Sequence, residues 1–257
     1  MSSPYYREDL ALVHHLGFGR HADGCAPGVL ELLEPVRARR GLVVELGCGS
    51  GRLTRHLVEA GHRVIATDAS PAMLALARQH SGAEEVARLV LPDDPIPAAD
   101  AVVSVGHALS YLADETSVHR ALVTIAAALR PGGVLALDIC DLEWGEVRRG
   151  SPGFGRAAAE WAIITEFSLP APDRFVREIV VFVRGDDGAW RRDDERHENV
   201  LVDTARIPGL LAGHGVEARV GDSFGGERLP AGLRVIVGRR GLDPRRRASE
   251  GQAHDQR

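Results

Sequence analysis

The chain has 257 residues, of which 44% are hydrophobic and 26% charged, and a formal net charge of −5. That length suits one large α/β domain with an elaboration, or two small ones, and the acidic balance supplies no basic field for nucleic acid or an anionic membrane. All 31 Lys and Arg positions are arginine, which excludes lysine chemistry such as Schiff bases and Walker-type phosphate binding.

In chain order, residues 9–16 read as a helix broken by Gly17-Phe18-Gly19, and residues 26–40 as a second helix. Residues 42–46 are an apolar strand that runs into Glu45-x-Gly47-x-Gly49-x-Gly51. Residues 52–60 have helical composition, and 63–67 form a second strand ending in Asp68. Ser70 then caps a helix whose first position suits Pro71 and whose one face carries Met73, Leu74 and Ala77. Strands over 86–91 and 100–105 follow, then a helix over 116–129 stopped by Arg130-Pro131-Gly132-Gly133, and a fifth strand over 134–139. These apolar runs do not alternate, so both faces are covered, as in a parallel sheet. After Cys140 the pattern changes to strands over 160–169, 174–184 and 189–202. No helix separates them, so they pair antiparallel, with Asp186-Asp187-Gly188 as a hairpin turn. A helix over 204–214 and strands over 217–222 and 233–239 complete the core, and the polar tail 241–257 is expected to be disordered.

Strand, glycine turn, helix, strand and acid form a nucleotide-binding βαβ unit. The glycines admit a ligand that a Cβ would push away, and Asp68 is placed to accept hydrogen bonds from both hydroxyls of a ribose. Two cofactors use such a unit. A dinucleotide fingerprint is G-x-G-x-x-G with a pyrophosphate at the helix start. The strict alternation after Glu45 instead resembles motif I of class I methyltransferases that use S-adenosylmethionine (SAM), a ligand without phosphate and with net positive charge.

Four segments match that superfamily in order: residues 43–51, 64–73, 99–112, and Leu129-Arg130-Pro131-Gly132-Gly133-Val134-Leu135. The resemblance implies an α/β, Rossmann-like fold: a seven-stranded mixed sheet with helices on both faces and a reversed final hairpin. An antiparallel β insertion follows strand five, and a helical lid precedes the core. The boundaries expected are 1–40 for the lid, 41–143 with 203–240 for the SAM-binding core, 144–202 for the insertion as a substrate wall, and 241–257 for the tail. The insertion is similar to that of small-molecule methyltransferases of the glycine N-methyltransferase and natural-product-tailoring type. The resemblance implies that Gly47, Cys48, Gly49 and Gly51 border the methionyl part of SAM, with Glu45 supporting the turn. It further implies that Asp68 binds the ribose and that Ala69 and Met73 flank the adenine. An acid that many relatives carry before a Leu-Pro pair is missing ahead of Leu91-Pro92, so adenine recognition falls to backbone near Leu89 and Val90. Tyr6, His14 and Phe18 resemble lid positions, and Arg52 is placed either to pair with the SAM carboxylate or to lie on the surface.

Methyl transfer is an in-line displacement in which the protein mainly aligns the reactants. Catalytic groups belong in the crevice beyond the carboxyl ends of the strands. Gly106, His107 and Tyr111 leave strand four there, and His107 and Tyr111 are the catalytic candidates, with His107 also in reach of the cofactor. In the charged strand, where Arg192, Asp194, Arg196 and Glu198 alternate with Arg191, Asp193, Glu195 and His197, a solvated face is the simplest reading; His197 is the exception, able to act as a base. Trp144, Trp161, Glu166 and Arg177 are further candidates to line the pocket. Scattered histidines and Cys25, Cys48 and Cys140 without CxxC spacing support neither a metal site nor a disulfide framework. The function expected is SAM-dependent methylation of an N, O or C nucleophile on a small molecule, with S-adenosylhomocysteine as product. The rivals are a non-catalytic SAM-binding protein and an NAD-dependent oxidoreductase. No membrane-length apolar run or signal peptide is evident, so a cytoplasmic monomer or homodimer is expected.

Overall fold

The computed structural model describes residues 5–242. The expected tail falls outside the described residues from position 243 onward. Helices α1 (Glu8–Gly17) and α2 (Arg20–Ala38) lead into β1 (Leu42–Leu46), α3 (Arg52–Glu59), β2 (Arg63–Asp68), α4 (Pro71–His80), β3 (Glu85–Arg88) and β4 (Ala99–Ser104). Then come α5 (Glu115–Ala128), β5 (Leu129–Cys140) and α6 (Leu142–Glu146). The insertion holds β6 (Phe154–Ala157), β7 (Trp161–Ala171), β8 (Arg174–Arg184) and β9 (Trp190–Val200), and α7 (Ile207–Ala212), β10 (Val216–Gly221) and β11 (Leu233–Arg240) close the chain.

Seven strands form one sheet in the order β3-β2-β1-β4-β5-β11-β10. Its first five strands are parallel, while β11 runs antiparallel to both β5 and β10. The strand order reverses between β1 and β4, and a crevice at such a point, beyond the carboxyl ends, is where open α/β sheets bind ligands. The central strands β1, β4 and β5 bury both faces. Val44, Leu46, Val102, Leu135 and Leu137 pack with Val118, Leu122 and Ile125 of α5. Val43, Ala101, Val103, Val134 and Ala136 pack on the other side with Val29, Leu33 and Val36 of α2 and Leu53 and Leu57 of α3.

The second sheet, β6-β7-β8-β9, is antiparallel throughout. Helix α1 packs on it through Leu10 and Val13 against Trp161, Ile163, Ile179, Val181 and Val183. The lid segment is therefore docked mainly on the insertion.

Several elements differ from the sequence reading. Helix α2 starts at Arg20, not at residue 26, and runs through Pro27 and Pro35; burial of Cys25, Ala26, Val29 and Leu33 offsets the missing amide bonds. Strand β3 ends at Arg88, where the Leu89 amide makes the last ladder bond, to the Asp68 carbonyl at 3.1 Å, and the Val90 amide turns to the Asp94 carboxylate. The Arg-Pro-Gly-Gly stop lies inside β5 as an irregularity: Leu129 pairs with Ala99 before it and Val134 with Ala101 after it. The helix expected over 204–214 is a short 3-10 turn, Thr204–Arg206, followed by α7, with Pro208 at the helix start. Helix α6 and strand β6 were not anticipated, since neither carries a long periodic pattern.

Candidate active site

A cavity of about 1140 Å³ opens at the carboxyl ends of β1, β2 and β4 and is walled on its far side by the N-terminal segment and the insertion. The glycine turn forms its floor. Gly47, Gly49 and Gly51 all have positive φ, at 68°, 54° and 80°. A Cβ on Gly49 would project into open space, with only the Met73 sulfur near it at 4.0 Å. Gly51 does not line the cavity; a Cβ there would meet the Ser81 Cβ at 2.6 Å and the Ala77 Cα at 3.2 Å. Its task is to let the start of α3 pack against α4, so its expected place beside the ligand is corrected.

Asp68 ends β2 at the cavity wall. Its two oxygens each accept one amide, from Gly49 and from Ser70, both at 2.8 Å. One further lone-pair direction on each oxygen stays available, which suits a vicinal diol. Ala69, Met73, Leu89 and Val90 line the adjoining part. Of the backbone groups expected there for adenine, the amides are engaged within the protein: that of Leu89 on the Asp68 carbonyl, and that of Val90 on the Asp94 carboxylate at 2.8 Å. What the segment offers a base is carbonyl oxygen and apolar side chain. Asp94 thus occupies the neighbourhood of the acid found missing, reaching it from beyond Pro92.

Glu45 is 2% exposed. Burial, with the Asp68 charge adding to it, pushes its carboxyl up to about 8, although the Thr54 hydroxyl donates to it at 2.6 Å. At neutral pH it is a hydrogen-bonding pillar under the turn rather than a negative charge. Arg52 reaches the cavity but is held by Asp23 at 3.2 Å and by the His15 carbonyl at 3.3 Å.

The segment after β4 is pinned by Asp138, which is wholly buried in β5. Asp138 accepts the amides of Gly106 at 2.9 Å and His107 at 2.5 Å, and the His21 ring at 2.8 Å. His107 sits in the left-handed region at φ 52°, ψ 39°, with its ring facing the cavity and stacked on Tyr111. Its Nδ1 has no partner. Burial, together with the Arg177 charge, pushes its pKa down to about 3, so the ring is neutral and is a hydrogen-bonding group before it is a base.

The opposite wall is a connected polar group. The Tyr6 hydroxyl bonds the Tyr111 hydroxyl at 2.8 Å, Arg177 donates to Tyr111, and Tyr111 reaches His197 Nδ1 at 3.4 Å. His197 Nε2 lies 2.8 Å from the Glu195 carboxylate, which can only accept, so Nε2 carries the proton and Nδ1 is the free acceptor. Burial lowers the His197 pKa, keeping the ring neutral, and raises that of Tyr111. His197 is fully buried and does not line the cavity; it meets a ligand only through Tyr111. Glu195 also accepts the amides of Tyr6 and Arg7, both at 2.7 Å, while the Ser70 hydroxyl donates to the Tyr6 carbonyl at 2.7 Å. These bonds hold Tyr6 at φ 57°, a strained setting for a tyrosine, over the mouth of the cavity. The charged strand is solvated on the face of Arg192, Asp194, Arg196 and Glu198, whereas Glu195, His197 and Asn199 are buried. Trp144 and Arg177 line the cavity; Glu166 is exposed and Trp161 lies beneath α1. His21, Asp138 and Glu195 escaped the sequence reading, since none stands in a motif.

The fold and the strand order are those of class I SAM-dependent methyltransferases, and the turn and Asp68 fit that cofactor. Residues 43–133 match the methyltransferase domain family. A putative methyltransferase of Geobacillus sp. (strain WCH70) is 28% identical over 161 residues, 60% of this chain and 65% of that protein. The chain covers between 39% and 65% of the length of the curated relatives it matches. In structure it is similar to a SAM-dependent methyltransferase from Clostridium acetobutylicum, with TM-score 0.75 and 18% identity over 90% of this chain and 97% of the other. It is also similar to SAM-bound CalS10, an amino pentose methyltransferase from Micromonospora echinaspora, with TM-score 0.67, 20% identity and coverage of 93% and 99%.

Proposed function

We propose that the protein transfers the SAM methyl group to a nitrogen, oxygen or carbon nucleophile of a small molecule. The observation that carries this reading is the size and division of the cavity. About 1140 Å³ exceeds the ~300–1,000 Å³ usual for one drug-sized ligand. The Asp68 half suits an adenosine, and a second half, enclosed by Tyr6, Tyr111, His107, Trp144 and Arg177, remains for an acceptor. The N-terminal segment and the insertion narrow the opening, which suits a small molecule better than a polymer. The amino pentose acted on by CalS10 is one kind of acceptor such a chamber accommodates.

SAM supplies an activated methyl on a sulfonium, a good leaving group. The protein's part is to enclose and align. The glycine turn and Asp68 seat the adenosine, the Glu195-held N-terminal segment excludes water, and His107 and Tyr111 hydrogen-bond the acceptor. A proton released by an N–H or O–H nucleophile has a path through Tyr111 to the neutral His197, whose imidazolium form Glu195 stabilises. Arg177 has no carboxylate partner among the described residues and an unpartnered buried Nε, so an acceptor bearing an anionic group suits this wall.

The test is calorimetric titration with S-adenosylhomocysteine and, in parallel, NAD. Incubation with methyl-labelled SAM and a library of amines, phenols and carbon acids follows. Binding of the thioether and label in a low-mass product support the reading; NAD binding alone overturns it. Binding without label transfer to any acceptor class favours the non-catalytic reading. His107→Ala is expected to lower turnover more than cofactor affinity, and an unchanged rate removes His107 from the mechanism.

A further inference from the structure

Six cationic side chains stand on the cavity wall: Arg7, Arg52, Arg88, Arg177, Arg196 and His21. Arg7 is bound by Asp193, Arg52 by Asp23, and Arg196 by Glu178 and Glu198. Arg88 lies at the adenine side, where its Nε reaches the Ala69 carbonyl at 3.4 Å. Arg177 stands on the insertion and donates to Tyr111.

His21 occupies a different place. On the cofactor reading Asp68 takes the ribose and Met73 and Leu89 the base, which leaves the part of the cavity lined by Gly47 and Gly106 for the rest of the ligand. A Cβ on Gly47 would meet Ala108 at 2.4 Å, so the glycine turn and the segment after β4 touch at that end. His21 is fastened there, because the Asp138 carboxylate that accepts its Nε2 at 2.8 Å also accepts the Gly106 amide at 2.9 Å. The end of the cavity beyond the ribose is where an amino-acid tail must lie. With Nε2 committed to Asp138, the ring's one remaining polar atom is Nδ1, which has no protein partner among the described residues.

We propose that His21, held on Asp138, anchors the carboxylate of the cofactor's methionyl end, an assignment that rests on the cofactor reading above. The ring must be an imidazolium to donate from both nitrogens. The hydrogen bond to the buried Asp138 holds it so, raising its pKa to about 10 against the opposing effect of burial. The arrangement is a relay of charge. A fully buried carboxylate, steadied by two backbone amides, fixes a cation on the cavity wall with its second N–H left for the ligand. Charge-assisted bonds of this kind are about twice as strong as neutral ones.

The experiment is calorimetric titration of the full chain and its His21→Gln variant with S-adenosylhomocysteine and with 5′-methylthioadenosine, which keeps the nucleoside and thioether but lacks the amino-acid tail. Loss of one charge-assisted bond predicts an affinity for S-adenosylhomocysteine lower by on the order of 10- to 100-fold. Affinity for 5′-methylthioadenosine stays unchanged, which also reports an intact fold. S-adenosylhomocysteine binding within about threefold of the parent would overturn the assignment. So would an equal fall for both ligands in His21→Gln and in His21→Asn, since that marks a structural role. If the parent protein binds neither ligand, the cofactor reading itself fails, and this assignment goes with it.

Discussion

Replacing Glu45 by Gln removes one buried titratable group and leaves its shape and its hydrogen bond from Thr54. The folded protein holds the Glu45 proton up to about 8, whereas an ordinary glutamate releases it at 4.5. A group with a raised folded pKa contributes most below its unfolded value and loses that contribution as pH rises toward the folded one. Between those limits the parent protein loses about 1.4 kcal/mol per pH unit relative to the variant. The Gln variant should therefore be more stable than the parent by about 1 kcal/mol at pH 5 and by about 4 kcal/mol at pH 8. Urea unfolding of both proteins at pH 5, 6.5 and 8 measures the difference directly, and other titrating groups cancel. Parallel stability curves would refute the reasoning, because they would mean that Glu45 is ionised in the folded protein. The same logic predicts S-adenosylhomocysteine affinity within about threefold of the parent at pH 6.5, since a neutral pillar is exchanged for another.

Gly49→Val should abolish S-adenosylhomocysteine binding while the fold survives, because the new side chain projects into the cavity from a left-handed backbone; calorimetry beside far-UV circular dichroism checks it, and undiminished affinity would defeat the motif assignment. Glu195→Ala should release the Tyr6 and Arg7 amides, seen as at least tenfold faster hydrogen exchange at those residues, with a lower turnover once an acceptor is found; unchanged exchange would mean that the N-terminal segment is held by other contacts.

Much of the architecture was legible in the residues. Non-alternating apolar runs located β1, β4 and β5 and required cover on both faces. Ser70-Pro71 and Asp186-Asp187-Gly188 announced a helix start and a hairpin, and Glu45-x-Gly47-x-Gly49-x-Gly51 with Asp68 pointed to the part of the chain that floors the cavity. These signals are local, because turn chemistry and side-chain period act within a few residues and survive without knowledge of the fold. Alternation in the charged strand likewise disclosed two faces, but not that the face of Glu195 and His197 is buried. Only the tertiary structure decided that, by packing β9 against the N-terminal segment. It also separated Gly51, a packing residue, from Gly49, an open one, although both stand in one motif. His21 meets Asp138 across 117 residues of chain, and Tyr6 meets Glu195 across 189. A lone histidine or glutamate carries no mark of a partner so distant, since its charge state and its role come from the groups that folding brings against it.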